Sequence, residues 1–163
     1  MTIPPRYDEI PSDFVQVATL AGLSIPLSDI EVEYRPAPHE QPKTLPPGRM
    51  AVYVFMFGDR CLKVGKAGPN CAARFCSQNY GSSAPSTLAK SLVKRQAEIE
   101  VRNLNALNVK EWILDNTTRV NFLIPSQYGV FALSLLEVFV QCRLQPEFEG
   151  FAGQRAGKAF VQE

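Results

Sequence analysis

Three polar side chains stand in the most apolar part of the chain, where a hydrophobic core would not select them. They are the phenol of Tyr53, the ammonium of Lys63 and the guanidinium of Arg74. A nearby cation favours the anionic form of a phenol or a water molecule, and a guanidinium fork matches two phosphate oxygens. Together these residues predict half of a site that binds and hydrolyses a phosphodiester.

A glycine-rich loop, KVGKAGPN, begins at Lys63 and strengthens this interpretation. Gly65 lets a ligand approach the backbone closely, and Lys66 adds a positive charge beside it. The helix that we predict after an Asn70 cap would present free N–H groups to an anion. The loop therefore predicts substrate contacts at Gly65 and Lys66.

The missing partner of this half-site is a carboxylate in a late apolar stretch, YGVFALSLLEVFVQCRL. Its polar exceptions, Ser134, Glu137 and Gln141, fall on one stripe of a helix. Burying a carboxylate is unfavourable unless it is paired or holds a cation. Glu137 is therefore either buried and paired or bound to a cation, or it is part of a stripe that faces water. These interpretations stay open at this point.

The distribution of charge points to a polyanionic partner. The net charge is only +1, and residues 1–48 hold seven acids against three bases. Residues 60–95 contain no acid, and their bases are Arg60, Lys63, Lys66, Arg74, Lys90, Lys94 and Arg95. A locally basic surface suits a phosphate backbone, with Lys90 and Lys94 as contacts. The alternative is a chance excess of charge on a solvated face.

Cysteine and histidine chemistry finds little support. The cysteines, at positions 61, 71, 76 and 142, include no closely spaced pair that would hold zinc. The single histidine, His39, lies in a proline-rich segment, where we expect a solvated loop residue. No apolar stretch approaches the ~18 residues of a membrane span, and the first residues lack a secretory pattern. We therefore expect a cytoplasmic protein without a membrane partner.

The first 48 residues hold nine of the thirteen prolines. Such a density blocks regular structure, so we expect residues 1–48 to form an appendage that wraps the core. Within it, Ser12 is predicted to cap a helix that runs to about Leu20, and residues 30–35 alternate like a strand. Residues 49–163 are predicted to form the main domain.

The main domain is predicted to contain a hairpin, helices, a third strand and a long final helix. The predicted strands are residues 50–57, 61–65 and 118–124, and the final helix covers residues 128–144. Further helices are predicted to begin at Ser86 and at the capping-box pattern of Asn108 and Glu111. This order predicts an α+β fold with a small, mainly antiparallel three-stranded sheet flanked by helices.

The hairpin carries a condition on the register of its strands. Successive side chains of a strand alternate between faces, so a regular two-residue turn at Gly58 would place Tyr53 opposite Val64. An odd loop, or an equivalent bulge, would instead place Tyr53 opposite Gly65 and on the same face as Lys63. We predict this second register, because a joint site requires it.

The ordered set of Tyr53, Lys63-Val64-Gly65, Arg74 and Glu137 resembles the GIY-YIG nuclease superfamily over residues 50–150. Lysine takes the place of the usual second-motif tyrosine, as in a subset of restriction-type members. The resemblance implies a small sheet flanked by helices, one Mg²⁺ or Mn²⁺ ion, and metal-dependent hydrolysis of DNA phosphodiester bonds by an endonuclease.

Carried onto this sequence, the resemblance assigns a catalytic role to each of four residues. Tyr53 would contact or activate the attacking water, and Lys63 would favour the anionic form of that tyrosine or water. Arg74 would stabilise charge on the scissile phosphate, and Glu137 would hold the metal ion.

Two positions depart from the pattern of that superfamily. Gln78 stands where many members have a histidine or tyrosine, and Lys66 or Tyr80 would substitute for it, with Tyr80 also predicted to contact the substrate. Glu149 stands where many members have an asparagine. These departures keep open a catalytically inactive DNA-binding module of the same fold. A partner-binding adaptor built on the proline-rich N-terminus is a further alternative. A dimer is possible, since cutting both strands with one site needs two copies or two encounters.

Overall fold

An antiparallel four-stranded sheet forms the centre of the protein. The computed structural model describes residues 3–85 and 87–148. The strands are β1 (Glu31–Arg35), β2 (Arg49–Phe57), β3 (Arg60–Ala67) and β4 (Thr118–Pro125), in the spatial order β1-β4-β2-β3. The α+β class is confirmed, but the predicted three-stranded sheet is corrected to four, because β1 of the N-terminal segment pairs with β4.

Helices cover both faces of this sheet. They are α1 (Pro5–Asp8), α2 (Ile10–Leu20), α3 (Ala72–Cys76), α4 (Leu88–Arg95), α5 (Val109–Asn116) and α6 (Gly129–Leu144). One core joins α1, α2 and α6 to the side chains of Val52 and Val54. The other joins α3, α4 and α5 to Ala51, Tyr53 and Phe55. We call these the α6 face and the α4 face. Burial on both faces explains why β2 is apolar at consecutive positions.

The hairpin of β2 and β3 has the register that a joint site requires. Tyr53 pairs with Gly65 and Phe55 pairs with Lys63. The turn itself is the two-residue one, Gly58-Asp59, with Gly58 at a positive φ of 56°. A β-bulge after Phe55 restores the parity, because Leu62 is the extra residue between the partners of Phe55 and Met56. The prediction of a bulge equivalent to an odd loop is confirmed.

Several predicted helix caps are wrong, although the helices exist. Cys71, not Asn70, precedes α3, and no side chain caps that helix. Asn108 precedes α5 without a capping bond, since its side chain bonds Asn105 and Asn103 instead. Thr87 caps α4 by accepting a hydrogen bond from the backbone N–H of Lys90 at 3.2 Å. The predicted cap of α4, Ser86, lies outside the described residues.

The N-terminal segment is part of the folded domain. β1 extends the sheet, and α2 buries Phe14 and Ala18 in the core of the α6 face. The helix predicted from Ser12 begins earlier, at Ile10, and ends at Leu20 as expected. None of the described helices combines the length and apolarity needed to cross a membrane.

Candidate active site

The ring of Tyr53 lies directly on the backbone of Gly65. A Cβ atom built on Gly65 would come within 2.6 Å of both Cζ and Oη of Tyr53. Only glycine fits beneath the ring, so the space that we predicted for a ligand at Gly65 is filled by this phenol. Because β3 is the edge strand, the phenol hydroxyl reaches across Gly65 to the border of the sheet.

The hydroxyl of Tyr53 is a buried polar group without a hydrogen-bond partner among the described residues. Tyr53 is only 2% exposed. Almost all buried polar groups in folded proteins are hydrogen-bonded, so an orphaned one is a candidate for function. Lys63 shares the α4 face with this tyrosine and is 7% exposed, which differs from the usual lysine in a strand that points to water.

A fully buried arginine, Arg119 of β4, holds this part of the α4 face together. Its guanidinium donates from Nε to Asn121 at 2.9 Å and from its two amino groups to the hydroxyl of Tyr80 at 3.0 Å and the carbonyl of Phe75 at 2.6 Å. It also lies 5.5 Å from the ring centroid of Tyr53. Burial lowers the pKa of Arg119 below its ordinary value. The hydrogen bonds and the surrounding aromatic faces, that of Tyr53 among them, compensate the buried charge.

Asn121 links Arg119 to a carboxylate, that of Glu33. Asn121 donates from its side-chain amide to Glu33 of β1 at 2.9 Å, and Arg35 contacts the same carboxylate at 3.3 Å. The polar line therefore runs from the outer strand β1 across β4 towards Tyr53 of β2. It depends on β1, and so on the N-terminal segment.

His39 extends the network, and its predicted place in a solvated loop is wrong. The side chain is 8% exposed, with Nδ1 2.7 Å from the carbonyl of Thr117 and Nε2 2.9 Å from the hydroxyl of Tyr80. A carbonyl can only accept, so Nδ1 carries the proton and Nε2 accepts from Tyr80. Burial lowers the pKa of His39, which keeps the ring neutral and able to accept.

Tyr80 lies inside the protein rather than at its surface. It is 3% exposed, its hydroxyl is engaged by His39 and Arg119, and burial raises its pKa. The structure thus gives Tyr80 a supporting position instead of the predicted substrate contact. Gln78 is exposed, and Glu149 lies outside the described residues.

Arg119, Asn121 and Glu33 belong to the site region, although none of them was predicted from the sequence. One signal was present in the strand TRVNFLI, where Arg119 and Asn121 alternate with apolar residues and so share one face. We predicted that strand without naming a role for its polar residues. The alternation of side chains between the two faces of a strand, which we applied to the hairpin, also predicts this polar face of β4.

Glu137 is paired with Lys66 on the opposite face of the sheet. The Nζ atom of Lys66 lies 2.7 Å from Oε2 of Glu137 and 3.1 Å from Oγ of Ser134. Both partners are partly buried, with 36% of the lysine side chain and 17% of the glutamate side chain exposed. Of the interpretations left open, the structure shows pairing. The partner, Lys66, belongs to the glycine-rich stretch KVGKAGPN that was predicted to contact the substrate.

The two halves of the predicted site lie on different faces of β3. Tyr53 and Lys63 are on the α4 face, whereas Lys66 pairs across from Val52 and turns to the α6 face with Glu137. A phosphate that touches both halves must therefore lie against the outer edge of β3. Among the described residues, 147 and 148 pair with this edge by donating their backbone N–H groups to the carbonyls of Cys61 and Leu62. No described residue outside the sheet pairs through its backbone with residues 63–67 of the edge.

Arg74 stands on the α4 side of that edge. It is exposed on α3, and its side chain has no hydrogen bond or ion pair within the described part of the chain. The expected anion site at the N-terminus of this helix loses support, because five residues supply little macrodipole. Arg74 itself remains available to a phosphate.

The basic surface is smaller than the sequence suggests. Arg60 pairs with Glu147 at 3.1 Å, and Arg95 lies 2.8 Å from Glu98. Lys90 and Lys94 are exposed on α4, one helical turn apart, and neither has an ion pair within the described residues. Of the phosphate contacts that the sequence predicts, Arg74, Lys90 and Lys94 are exposed on this side of the sheet.

Among the described residues, Glu137 is the carboxylate that a metal ion would find at this edge of the sheet. The described residues contain no group of three or more His, Cys, Asp or Glu side chains that could hold a metal. Mg²⁺ is often bound by one or two carboxylates together with substrate phosphate oxygens, and Glu137 fits that limited role. Lys66 occupies one of its oxygens, Oε2.

Comparisons of this chain with protein-family models, with curated proteins and with solved structures find no match.

Proposed function

We propose that the protein is a metal-dependent endonuclease that hydrolyses DNA phosphodiester bonds at a single GIY-YIG-type site. The observation that carries the proposal is the buried hydroxyl of Tyr53, which has no hydrogen-bond partner among residues 3–85 and 87–148 and is held on Gly65 at the border of the sheet. A structural tyrosine would satisfy its hydroxyl, as Tyr80 does. An orphaned hydroxyl beside a phosphate-accessible edge is suited to contact the attacking water or the phosphate.

The remaining residues support the same reaction from both sides of β3. Tyr53 would orient the attacking water, and Lys63 on the same face would stabilise negative charge near it. Arg74 would bind the scissile phosphate with its fork. Glu137 would hold Mg²⁺ or Mn²⁺, which when bound supplies positive charge to the phosphate and the leaving oxygen. Lys90 and Lys94 would contact neighbouring phosphates.

The test is cleavage of supercoiled plasmid and of single-stranded DNA with Mg²⁺ or Mn²⁺. We expect Tyr53→Phe, Arg74→Ala and Glu137→Gln each to lower the rate by about 100-fold or more, as losses of transition-state contacts do. The exposed Arg102→Ala and Glu111→Gln are matched controls that should cleave like the wild type. Equal rates in Glu137→Gln and the wild type would disprove the proposed site.

A DNA-binding module without cleavage is the second candidate. Two observations favour it: Gln78 is a poor proton carrier, and Lys66 already neutralises Glu137. DNA binding that persists in Glu137→Gln, with no cleavage by either protein, would support this candidate. The adaptor loses its main argument, because the proline-rich segment contributes β1 to the sheet and buries His39.

A further inference from the structure

The ion pair between Lys66 and Glu137 is built into the protein before any ligand arrives. Lys66 leaves β3 towards α6 and donates to two side chains of that helix, Glu137 at 2.7 Å and Ser134 at 3.1 Å. Ser134 in turn donates to the carbonyl of Val130. Because α6 presents both acceptors, the helix positions the ammonium on Oε2 of the carboxylate.

Both members of this pair have a competing partner in the proposed reaction. Glu137 is the carboxylate that would hold the metal ion, and a divalent cation there would be repelled by the ammonium of Lys66 in a partly buried setting. Lys66 is in turn a natural partner for a DNA phosphate. A phosphate bound to Lys66 would compete with Glu137 for the ammonium, and a metal ion bound to Glu137 would compete with Lys66 for the carboxylate.

We propose that Lys66 is an internal counter-ion that keeps the metal off Glu137 until a DNA phosphate draws the lysine away. This inference rests on the proposed function and adds a regulation to the same site. Metal and DNA then bind with positive coupling, and linkage requires each to strengthen the other by the same factor. The free protein binds metal weakly, so the site is completed on the substrate.

The first test is Mn²⁺ binding to the protein without DNA, measured by titration calorimetry. Removing the ammonium in Lys66→Gln should tighten Mn²⁺ binding by about tenfold or more, the scale on which neighbours of a ligand change metal affinity. Lys66→Arg keeps the charge and should bind like the wild type. Lys110→Gln, an exposed lysine on α5, is the matched control and should not change the affinity.

The double variant Lys66→Gln with Glu137→Gln shows where the ion binds. The double variant should not show the higher Mn²⁺ affinity of Lys66→Gln, because it lacks the carboxylate. Lys66→Met, which retains the aliphatic stem, replaces Lys66→Gln if urea unfolding shows that the latter is not folded. An affinity in both Lys66→Gln and Lys66→Met equal to that of the wild type, or a tightening that survives in the double variant, would overturn the inference.

The second test measures the coupling itself. Fluorescence anisotropy of a labelled duplex, in a Tyr53→Phe background that stops cleavage, gives the factor by which Mn²⁺ tightens DNA binding. That factor should be smaller when Lys66→Gln is added, and an equal factor would contradict the mechanism. If the Lys66 variants bind Mn²⁺ with the affinity of the wild type while Glu137→Gln still abolishes cleavage, the counter-ion inference fails and the nuclease proposal stands. If no variant binds Mn²⁺ and the wild type cleaves nothing, both fail.

Discussion

Gly65→Ala tests the contact between Tyr53 and the edge strand. The backbone of Gly65 is not at positive φ, so alanine meets no conformational barrier there. In an unobstructed strand the substitution would stabilise the protein by roughly 0.4–1 kcal/mol through the unfolded state. Any loss of stability must therefore come from the contact with the ring.

The expected loss follows from the distance between the new methyl group and the phenol. The added Cβ would stand 2.6 Å from Cζ and Oη of Tyr53, whereas ordinary contact begins at 3.4 Å. The ring would have to retreat by about 0.8 Å within a core where it is 2% exposed. Overpacking of this kind costs about 1–3 kcal/mol, which exceeds the gain in the unfolded state. We expect Gly65→Ala to lower the free energy of unfolding by about 1–2 kcal/mol.

Urea unfolding measures this change as a lower midpoint at an unchanged slope. Gly81→Ala is the matched control, because its backbone φ is also not positive and no atom lies within 4 Å of the added Cβ. The loss should disappear in a Tyr53→Leu background, where the phenol is absent. The reasoning is refuted if Gly65→Ala is as stable as the wild type, or if it loses as much stability in the Tyr53→Leu background.

Three further predictions concern the buried network and the basic surface. The folded-state pKa of His39, the single histidine, lies below its unfolded value near 6.5. At a pH below 6.5 the unfolded chain therefore binds more protons than the folded protein, and the free energy of unfolding decreases as the pH falls. Between pH 5 and 6.5 the free energy of unfolding should rise with pH by up to about 1.4 kcal/mol per unit. His39→Gln should flatten that slope in urea titrations, and an unchanged slope would contradict the assignment. Arg119→Lys should cost on the order of 2–4 kcal/mol, because one ammonium cannot replace three directed hydrogen bonds, whereas Arg102→Lys should stay within about 0.5 kcal/mol. A thermal or urea measurement that finds Arg119→Lys as stable as Arg102→Lys would show that the network is not needed. For duplex DNA, the logarithm of the binding constant falls linearly with the logarithm of the salt concentration, and Lys90→Gln and Lys94→Gln should each reduce the steepness of that line by about 0.9. Slopes equal to that of the control Lys110→Gln would show that α4 does not contact the DNA.

The sequence was sufficient where a local pattern determines the structure. The apolar run of β2 predicted a strand, and residues 128–144 predicted a long helix with a polar stripe at Glu137. The helix is less buried than its apolar sequence suggests, since Phe131 is 87% exposed. The parity argument predicted the pairing of Tyr53 with Gly65 before its cause, a bulge at Leu62, was known. These features depend on periods of two and 3.6 residues, which a sequence displays directly.

The polar partners could not be predicted, because they lie far apart in the chain. Glu33 and Asn121 are 88 positions apart, and His39 and Thr117 are 78 apart. Whether a polar residue faces water or a buried partner depends on which strands are neighbours. β1 was expected to wrap the core, so nothing indicated that its carboxylate would meet β4. The same reason hid the Lys66 partner of Glu137, which is 71 positions away.

Within the described residues, the order of the strands also explains why part of the β3 edge is left for the proposed reaction. An exposed edge strand usually invites pairing with another chain, and proteins protect it with charges or short covering segments. Here residues 147 and 148 cover the first part of the edge by bonding Cys61 and Leu62. The second part carries Lys63 and Lys66, whose charges discourage strand pairing. Between them lies Gly65, against which the ring of Tyr53 packs. Since β1 is added at the far side of the sheet, it completes the network behind Tyr53 without covering this edge.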